Sequence, residues 1–192
     1  METDLQRKSS NITIIGKPNA GKSTLLNLLI GQKIAIVTPK VQTTRSSITG
    51  IYTRDNIQLV FIDTPGIFVA HSRLEKAMVR CAWSNIAGAD QVIFLIDSSK
   101  EFDDKSIDIV SRLKSQNISP IFVLNKIDKK NPTIVSIIAA IRDIMDDAII
   151  FQVSALNGKG TGELIAFLEN KANTGEWLYG EDDITNLSMR FL

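Results

Sequence analysis

Apolar residues along the chain follow two alternating patterns, short continuous runs and longer segments with helical spacing. The continuous runs, typical of strands buried on both faces of a sheet, span residues 12–15, 91–96 and 120–124. Helices are predicted to begin at Lys22 and at Asn131–Pro132. Two more are predicted from capping residues, one capped by Asp103 and Asp104 and the last capped by Thr161. This alternation predicts a mostly parallel sheet covered by helices on both faces.

Two further features complete the predicted sheet. Residues 48–53 and 58–62 flank a turn-forming segment at 54–56, so this pair should be an antiparallel hairpin. A last strand is expected at 148–153. The prediction is therefore an α/β protein with a six-stranded, mixed, mostly parallel sheet and about five helices.

The first strand leads directly into a glycine-rich loop, Gly16-Lys17-Pro18-Asn19-Ala20-Gly21-Lys22-Ser23, which fits the phosphate-binding pattern of P-loop NTPases. Its position between a strand and a helix is the context that this pattern requires. Lys22 is predicted to reach the β- and γ-phosphates and Ser23 to bind Mg²⁺, while backbone amides at the helix start contact phosphate oxygens. The expected contacts of this loop extend to Thr24.

The base-reading residues should distinguish GTP from ATP. Asn125-Lys126-Ile127-Asp128 follows an apolar strand, where open α/β sheets bind ligands. The Asp128 carboxylate can accept the N1 proton and the exocyclic amine of guanine, a pair that adenine does not offer. Asn125 is predicted to bridge loop and base, and the stem of Lys126 to pack over the ring. GTP is therefore favoured, with a P-loop ATPase or kinase as the alternative.

Three weaker motifs are informative only together with the phosphate loop and the base-reading segment. Asp63-Thr64-Pro65-Gly66 follows the second hairpin strand; Asp63 is placed to hold Mg²⁺ and the Gly66 amide to reach a γ-phosphate. In Ser154-Ala155-Leu156, the Ala155 amide could face the guanine oxygen.

A threonine between the first helix and the hairpin could close over Mg²⁺ and the γ-phosphate. Thr44 is favoured for this role and Thr43 is the alternative. The groups expected to act directly on the transferred phosphoryl group are Lys22, Thr44 and Gly66.

Together these motifs resemble those of the bacterial Era family of GTPases, and the resemblance covers nearly the whole chain. It rests on the phosphate loop that continues into Leu-Leu-Asn, on residues 39–45 and on the segment that begins at Asp63. It implies a GTP-hydrolysing switch that uses Mg²⁺ and acts in small ribosomal subunit assembly and 16S ribosomal RNA processing. A cytoplasmic location with peripheral inner-membrane association is also implied.

The resemblance divides the chain into a GTPase domain at 1–173 and a connector at 174–192. In the family this connector leads to a KH domain that contacts 16S ribosomal RNA. No Gly-x-x-Gly loop follows the connector here, so the KH domain is expected to be absent and no nucleic-acid contact is assigned within this chain. Trp177 and Tyr179 are expected to anchor the connector to the GTPase domain.

Two positions bear on catalysis. Ile67 stands where Ras-like GTPases have a glutamine that orients the attacking water, but the resemblance includes a group with an apolar residue there. Some relatives use the asparagine equivalent to Asn19 to bind a potassium ion that acts in place of an arginine finger. The alternative is an asparagine that stabilises its own turn.

Composition narrows the class of protein. The 192 residues are 44% apolar and 22% charged, and 22 basic against 21 acidic side chains leave a formal charge of +1. This is typical of a globular domain and weighs against a chain that binds a polyanion by itself. Cys81 is the single cysteine, which favours a reducing, cytosolic setting. The alternatives to a hydrolytic switch are a GTP-gated interaction module with incidental hydrolysis and a related GTPase of ribosome assembly or tRNA modification.

Overall fold

Strands and helices alternate along the chain as predicted. The computed structural model describes residues 6–31, 48–63, 83–129 and 133–180. In the range 48–63, it describes the side chains of residues 50–62 only. The elements in chain order are β1 (Lys8–Gly16), α1 (Lys22–Gly31), β2 (Ile48–Arg54), β3 (Ile57–Asp63), β4 (Gln91–Asp97), α2 (Asp104–Ser115), β5 (Ile121–Asn125), α3 (Ile134–Ile144), β6 (Ile150–Gln152), α4 (Thr161–Asn170) and β7 (Asn173–Thr174). Residues 83–87 are also helical.

The described strands form one sheet in the order β2-β3-β1-β4-β5-β6. All neighbours along this path are parallel except β2 and β3, which form the predicted antiparallel hairpin. Asp55 occupies its turn at a φ of 51°, a left-handed conformation that aspartate tolerates better than most residues. The predicted mixed, mostly parallel sheet is therefore confirmed.

The count of six strands was one short within the described residues. β7 pairs antiparallel with β1, Lys8 facing Thr174 and Ser9 facing Asn173. It occupies the space beside β1 that β4, whose pairing begins at Ile12, leaves open. Both β7 residues are exposed, so no apolar pattern marks them.

Successive residues of the central strands face opposite sides of the sheet, which produces two hydrophobic layers. Ile93 and Leu95 of β4 pack with apolar residues of α1 and α4 on one face. Phe94 and Ile96 pack with apolar residues of α2 and α3 on the other. The predicted helices on both faces are thus present, and the sheet is buried from both sides.

Several helix and strand ends differ from the predictions, and β1 begins at Lys8, four residues before the predicted start. β6 is shorter than the predicted 148–153. Thr161 was predicted to cap α4, but Gly160 takes the cap position at a φ of 76° and the Thr161 hydroxyl donates to the Gly158 carbonyl. The predicted start of α3 at 131–132 lies outside the described residues, and the helix begins after Thr133. The Asp103 cap of α2 is confirmed by its bond from the Ser106 amide.

Residues 173–180 lie against the hairpin and β1. The Gln58 side chain is fully buried and makes two reciprocal hydrogen bonds with the backbone of Tyr179, at 2.9 and 3.0 Å. The Trp177 indole donates to the Asn56 carbonyl, and the Arg7 guanidinium lies 4.9 Å from its ring centroid. Trp177 and Tyr179 therefore anchor this segment as predicted. None of the helices described is both long and apolar enough to cross a bilayer.

Candidate nucleotide-binding site

The predicted phosphate loop joins β1 to α1 at the carboxyl end of the sheet. Gly16 ends β1, Pro18 and Asn19 form the exposed part of the turn, and Ala20 is buried beneath it. Gly21 has a φ of 99°, and a Cβ atom there would overlap the Asn125 side-chain amide. Only glycine fits this position, because the base-reading loop approaches the phosphate loop so closely.

Lys22 and Ser23 occupy the first turn of α1. The Lys22 ammonium donates to the Gly16 and Lys17 carbonyls, both at 3.1 Å, and so folds back over the loop. Ser23 and Thr24 are exposed. The first turn of α1 carries no acidic residue, so the positive end of the helix dipole is not offset there. This is an electrostatic environment that suits phosphate oxygens.

Asn125 connects three segments of the site. Its side-chain amide donates to the Ala20 carbonyl at 2.9 Å, and its side-chain oxygen accepts from the Ala155 amide at 2.9 Å. The side chain is buried, so both bonds are shielded from water. The phosphate loop, the end of β5 and the loop after β6 are thereby held together.

Lys126 forms a second connection to the phosphate loop. Its backbone has a φ of 69°, and its ammonium donates to the Asn19 carbonyl at 2.8 Å and to Asp97 at 2.6 Å. Asn19 itself has a φ of 64°. Two residues in left-handed conformations thus meet where the base-reading and phosphate loops touch, which is typical of functional sites.

Asp128 and Ser154 complete the part predicted to read the base. Asp128 is exposed, and one of its carboxylate oxygens accepts from the Ser154 hydroxyl at 2.5 Å. Ala155 is buried, and its amide is engaged by Asn125 rather than directed to solvent. Leu156 is 78% exposed and lies one residue beyond Ala155.

Asp97 and Asp103, which the sequence motifs did not identify, neighbour the predicted site. Burial raises the pKa of the Asp97 carboxyl, but hydrogen bonds from Lys126 and Ser99 outweigh it and lower the pKa overall. The hydrogen bond from Lys17 lowers the pKa of Asp103, against a smaller opposing effect of burial. Both carboxylates are therefore ionised at neutral pH.

Several predicted residues are described in part or not at all. Asp63 is the last residue of β3, where it faces Ile14 of β1, so its backbone lies two positions from the start of the phosphate loop. Thr43, Thr44, Thr64, Pro65, Gly66 and Ile67 lie outside the described residues.

Comparison with known protein families agrees with a nucleotide-binding site at this position. Residues 11–126 match the family model described as a 50S ribosome-binding GTPase, which is more than half of the chain. The chain belongs to this GTPase family. The matched region runs from β1 to Lys126 and includes the phosphate loop.

The predicted resemblance to Era is also confirmed. The chain is 53% identical to GTPase Era of Rickettsia conorii over 186 residues, covering 97% of this chain and 55% of that protein. A solved structure of Era with MgGDPNP and nucleotides 1506–1542 of 16S ribosomal RNA has a TM-score of 0.77 and 36% identity, covering 92% of this chain and 61% of that one.

An Aquifex aeolicus Era variant bound to GDP·AlF4⁻ has a TM-score of 0.73 and 34% identity, covering 91% of this chain and 60% of that one. The chain thus spans between half and two thirds of the length of these relatives.

Proposed function

We propose that this chain is the GTP-binding and GTP-hydrolysing switch domain of an Era-like protein that acts in small ribosomal subunit assembly and 16S ribosomal RNA processing. The observation that carries the proposal is the Asn125 bridge between Ala20 and Ala155, which joins the phosphate loop to both base-reading loops. A ligand with a guanine base and a phosphate chain fits the motifs at the two ends of this bridge. The RNA-bound Era structure supports the ribosomal part of the proposal.

The proposed reaction is an in-line attack of water on the γ-phosphorus of GTP. The bond to the β–γ bridging oxygen breaks, and GDP and inorganic phosphate are released. The Lys22 ammonium neutralises charge that develops on the β- and γ-phosphates, and the Gly66 amide and Thr44 contact the γ-phosphate. Gly16 through Thr24 hold the phosphate chain, with Thr64 and Pro65 beside it.

Mg²⁺ would be held by Ser23, Asp63 and Thr44. The Ser23 hydroxyl lies exposed in the first turn of α1, at the end of the sheet where β3 places the Asp63 backbone. No group of three or more acidic, histidine or cysteine side chains capable of holding a metal occurs among the described residues. The set of Ser23, Asp63 and Thr44, which offers one carboxylate and two hydroxyls, fits Mg²⁺, because proteins usually bind this ion through one or two carboxylates together with waters and substrate phosphates. When bound, the ion would neutralise negative charge on the phosphate oxygens.

A potassium ion at Asn19 is a further part of the proposal. The exposed, left-handed turn at Asn19 supports either a cation ligand or a residue that stabilises its own loop. GTP hydrolysis in potassium buffer should be faster than in sodium buffer at equal ionic strength. Equal rates would remove Asn19 from this role.

Guanine selectivity provides the main test. Asp128→Asn should shift the base preference from guanine towards xanthine, because the amide replaces an acceptor by a donor. Competition between GTP, ATP and XTP for a fluorescent mant-GDP complex measures this preference. Tight ATP binding by the wild type would contradict the GTPase assignment, and unchanged GTP preference in the variant would contradict the role of Asp128.

The larger biological role requires a second experiment. We propose a cytoplasmic location with peripheral inner-membrane association, a GTPase domain at 1–173 and a connector at 174–192 that links it to RNA recognition by a KH domain. Single-turnover phosphate release should be slow for the chain alone and faster when it is part of a protein bound to assembling small subunits. Equal rates would favour the GTP-gated interaction module over the hydrolytic switch.

A further inference from the structure

The loop between β4 and α2 contacts both halves of the proposed nucleotide site. Residues 97–103, which comprise the last residue of β4 and the loop up to α2, are called the bracket loop below. Its first residue, Asp97, pairs with Lys126 of the base-reading loop, and its last, Asp103, pairs with Lys17 of the phosphate loop. Neither aspartate belongs to a motif that the sequence singled out as a nucleotide contact.

Both carboxylate oxygens of Asp97 accept hydrogen bonds, which fixes the position of the side chain. One carboxylate oxygen accepts from the Ser99 amide at 3.1 Å and the Ser99 hydroxyl at 2.6 Å. The other accepts from the Lys126 ammonium at 2.6 Å. The Asp97 side chain is 9% exposed and that of Lys126 is 24% exposed. This shielding from water makes the pair stronger than an ordinary surface ion pair.

The Lys126 ammonium that pairs with Asp97 also contacts the phosphate loop. Lys126 donates to the Asn19 carbonyl at 2.8 Å, so a continuous path runs from Asp97 through Lys126 to the turn of the phosphate loop. Ser98, the next residue of the bracket loop, is bonded directly to Asn125. Its hydroxyl and its amide both donate to the Asn125 carbonyl, at 2.6 and 3.0 Å. The bracket loop therefore cannot move without shifting the residue that bridges the site.

The pair at the other end of the loop differs in exposure. The Lys17 and Asp103 side chains are 32% and 50% exposed, so water screens their attraction. Asp103 also serves α2 as its N-terminal cap, a role that asparagine fills equally well. Because the Asp97–Lys126 pair is more buried, it should hold its two loops together more strongly than the Asp103–Lys17 pair does.

We propose that Asp97 is a positioning residue for guanine-nucleotide binding, which holds the Lys126 ammonium against the Asn19 carbonyl and so sets the spacing between the base-reading and phosphate loops. This inference rests on the proposed function, since it requires that GDP or GTP occupies both loops. Asp97 acts through Lys126 and does not itself touch the nucleotide.

The test is a double-mutant cycle in the full chain with mant-GDP as the probe. Asp97→Asn, which keeps the shape and removes the charge, should weaken mant-GDP binding about tenfold or more, the effect expected for a lost charged hydrogen bond. In a Lys126→Met background the same substitution should change affinity less than twofold, because its partner is gone. Asp103→Asn is the matched control and should change affinity less than threefold.

Each outcome decides a different point. Failure of the wild type to bind mant-GDP would overturn the proposed function itself. Wild-type binding with an Asp97→Asn affinity within threefold would overturn the positioning role alone. An equal tenfold loss in both Lys126 backgrounds would also overturn it, because a purely structural aspartate would behave in this way.

A second variant covers the case in which Asp97→Asn does not fold, as judged by circular dichroism. Ser99→Ala removes one hydrogen bond from the Asp97 carboxylate and keeps its charge. It should weaken mant-GDP binding twofold to fivefold in the wild-type background and leave it unchanged with Lys126→Met. No change in either background would contradict the positioning role.

Discussion

Removal of the Asn125 side chain should destabilise the protein even when no nucleotide is bound. Asn125→Ala leaves the Ala20 carbonyl and the Ala155 amide without the partner that each has in the structure. Ala20 is 2% and Ala155 4% exposed, so water does not easily replace the lost partner. The substitution therefore acts on the fold of the site as well as on its ligand.

The magnitude follows from the two orphaned groups. A buried donor or acceptor that loses its partner costs about 1–3 kcal/mol, so two of them cost about 2–5 kcal/mol after partial relaxation. Native proteins are stable by only about 5–15 kcal/mol, so this loss is a large fraction of the total. It should lower the midpoint of urea unfolding strongly while leaving the slope unchanged.

The assay compares Asn125→Ala with Asp128→Ala by urea unfolding of the nucleotide-free chain. Asp128 is exposed and makes one described side-chain bond, from Ser154, so its loss should cost about 1 kcal/mol or less. Both variants should nevertheless bind mant-GDP poorly. If Asn125→Ala unfolds within about 0.5 kcal/mol of the wild type, the bridge does not hold the loops together and the reasoning fails.

Three further predictions follow from the described contacts. Lys22→Ala should abolish mant-GDP binding at micromolar concentrations with little change in the urea midpoint, and retained binding would contradict the role of its ammonium. Gly160→Ala should lower the thermal midpoint by several degrees, because this left-handed position costs a side chain about 1–2 kcal/mol and a Cβ atom would overlap the Gln152 carbonyl. The lowered pKa values of Asp97 and Asp103 mean that both carboxylates stabilise the fold above their ordinary pKa near 4, and that this contribution is lost as pH falls through the lowered values. The contribution of these two carboxylates to the free energy of unfolding should therefore stay constant from pH 7 to about 5 and decline below about pH 4. Asp97→Asn should make that decline smaller. An unchanged acid profile in the variant would contradict the lowered pKa of Asp97.

The sheet was predictable from the sequence because its signal is local. The run at 91–96 is apolar at every position after Gln91, and burial on both faces requires this pattern. β7 carries no such signal, since its two exposed residues pair with β1 only because the chain returns there. The Thr161 cap was predicted from residue type alone, and the left-handed backbone of Gly160 decided the helix start instead.

The site was predictable in its motifs and not in their connections. Asn125, Lys126 and Asp128 follow a strand in a recognisable order, and this order was enough to expect them at the ligand-binding edge. The two bonds of Asn125 join residues far apart in the chain, so only the folded sheet brings them together. Asp97 has no distinctive spacing from Lys126, and a lone aspartate at a strand end is common.

The attachment of residues 173–180 has a consequence for sequence variation. Both hydrogen bonds that Gln58 makes to this segment use the Tyr179 backbone, one its amide and the other its carbonyl. Almost any residue at position 179 preserves them, and proline alone removes the donor. Position 179 can therefore vary in sequence without the loss of these two bonds, so selection on this part of the attachment should be visible at Gln58 rather than at Tyr179.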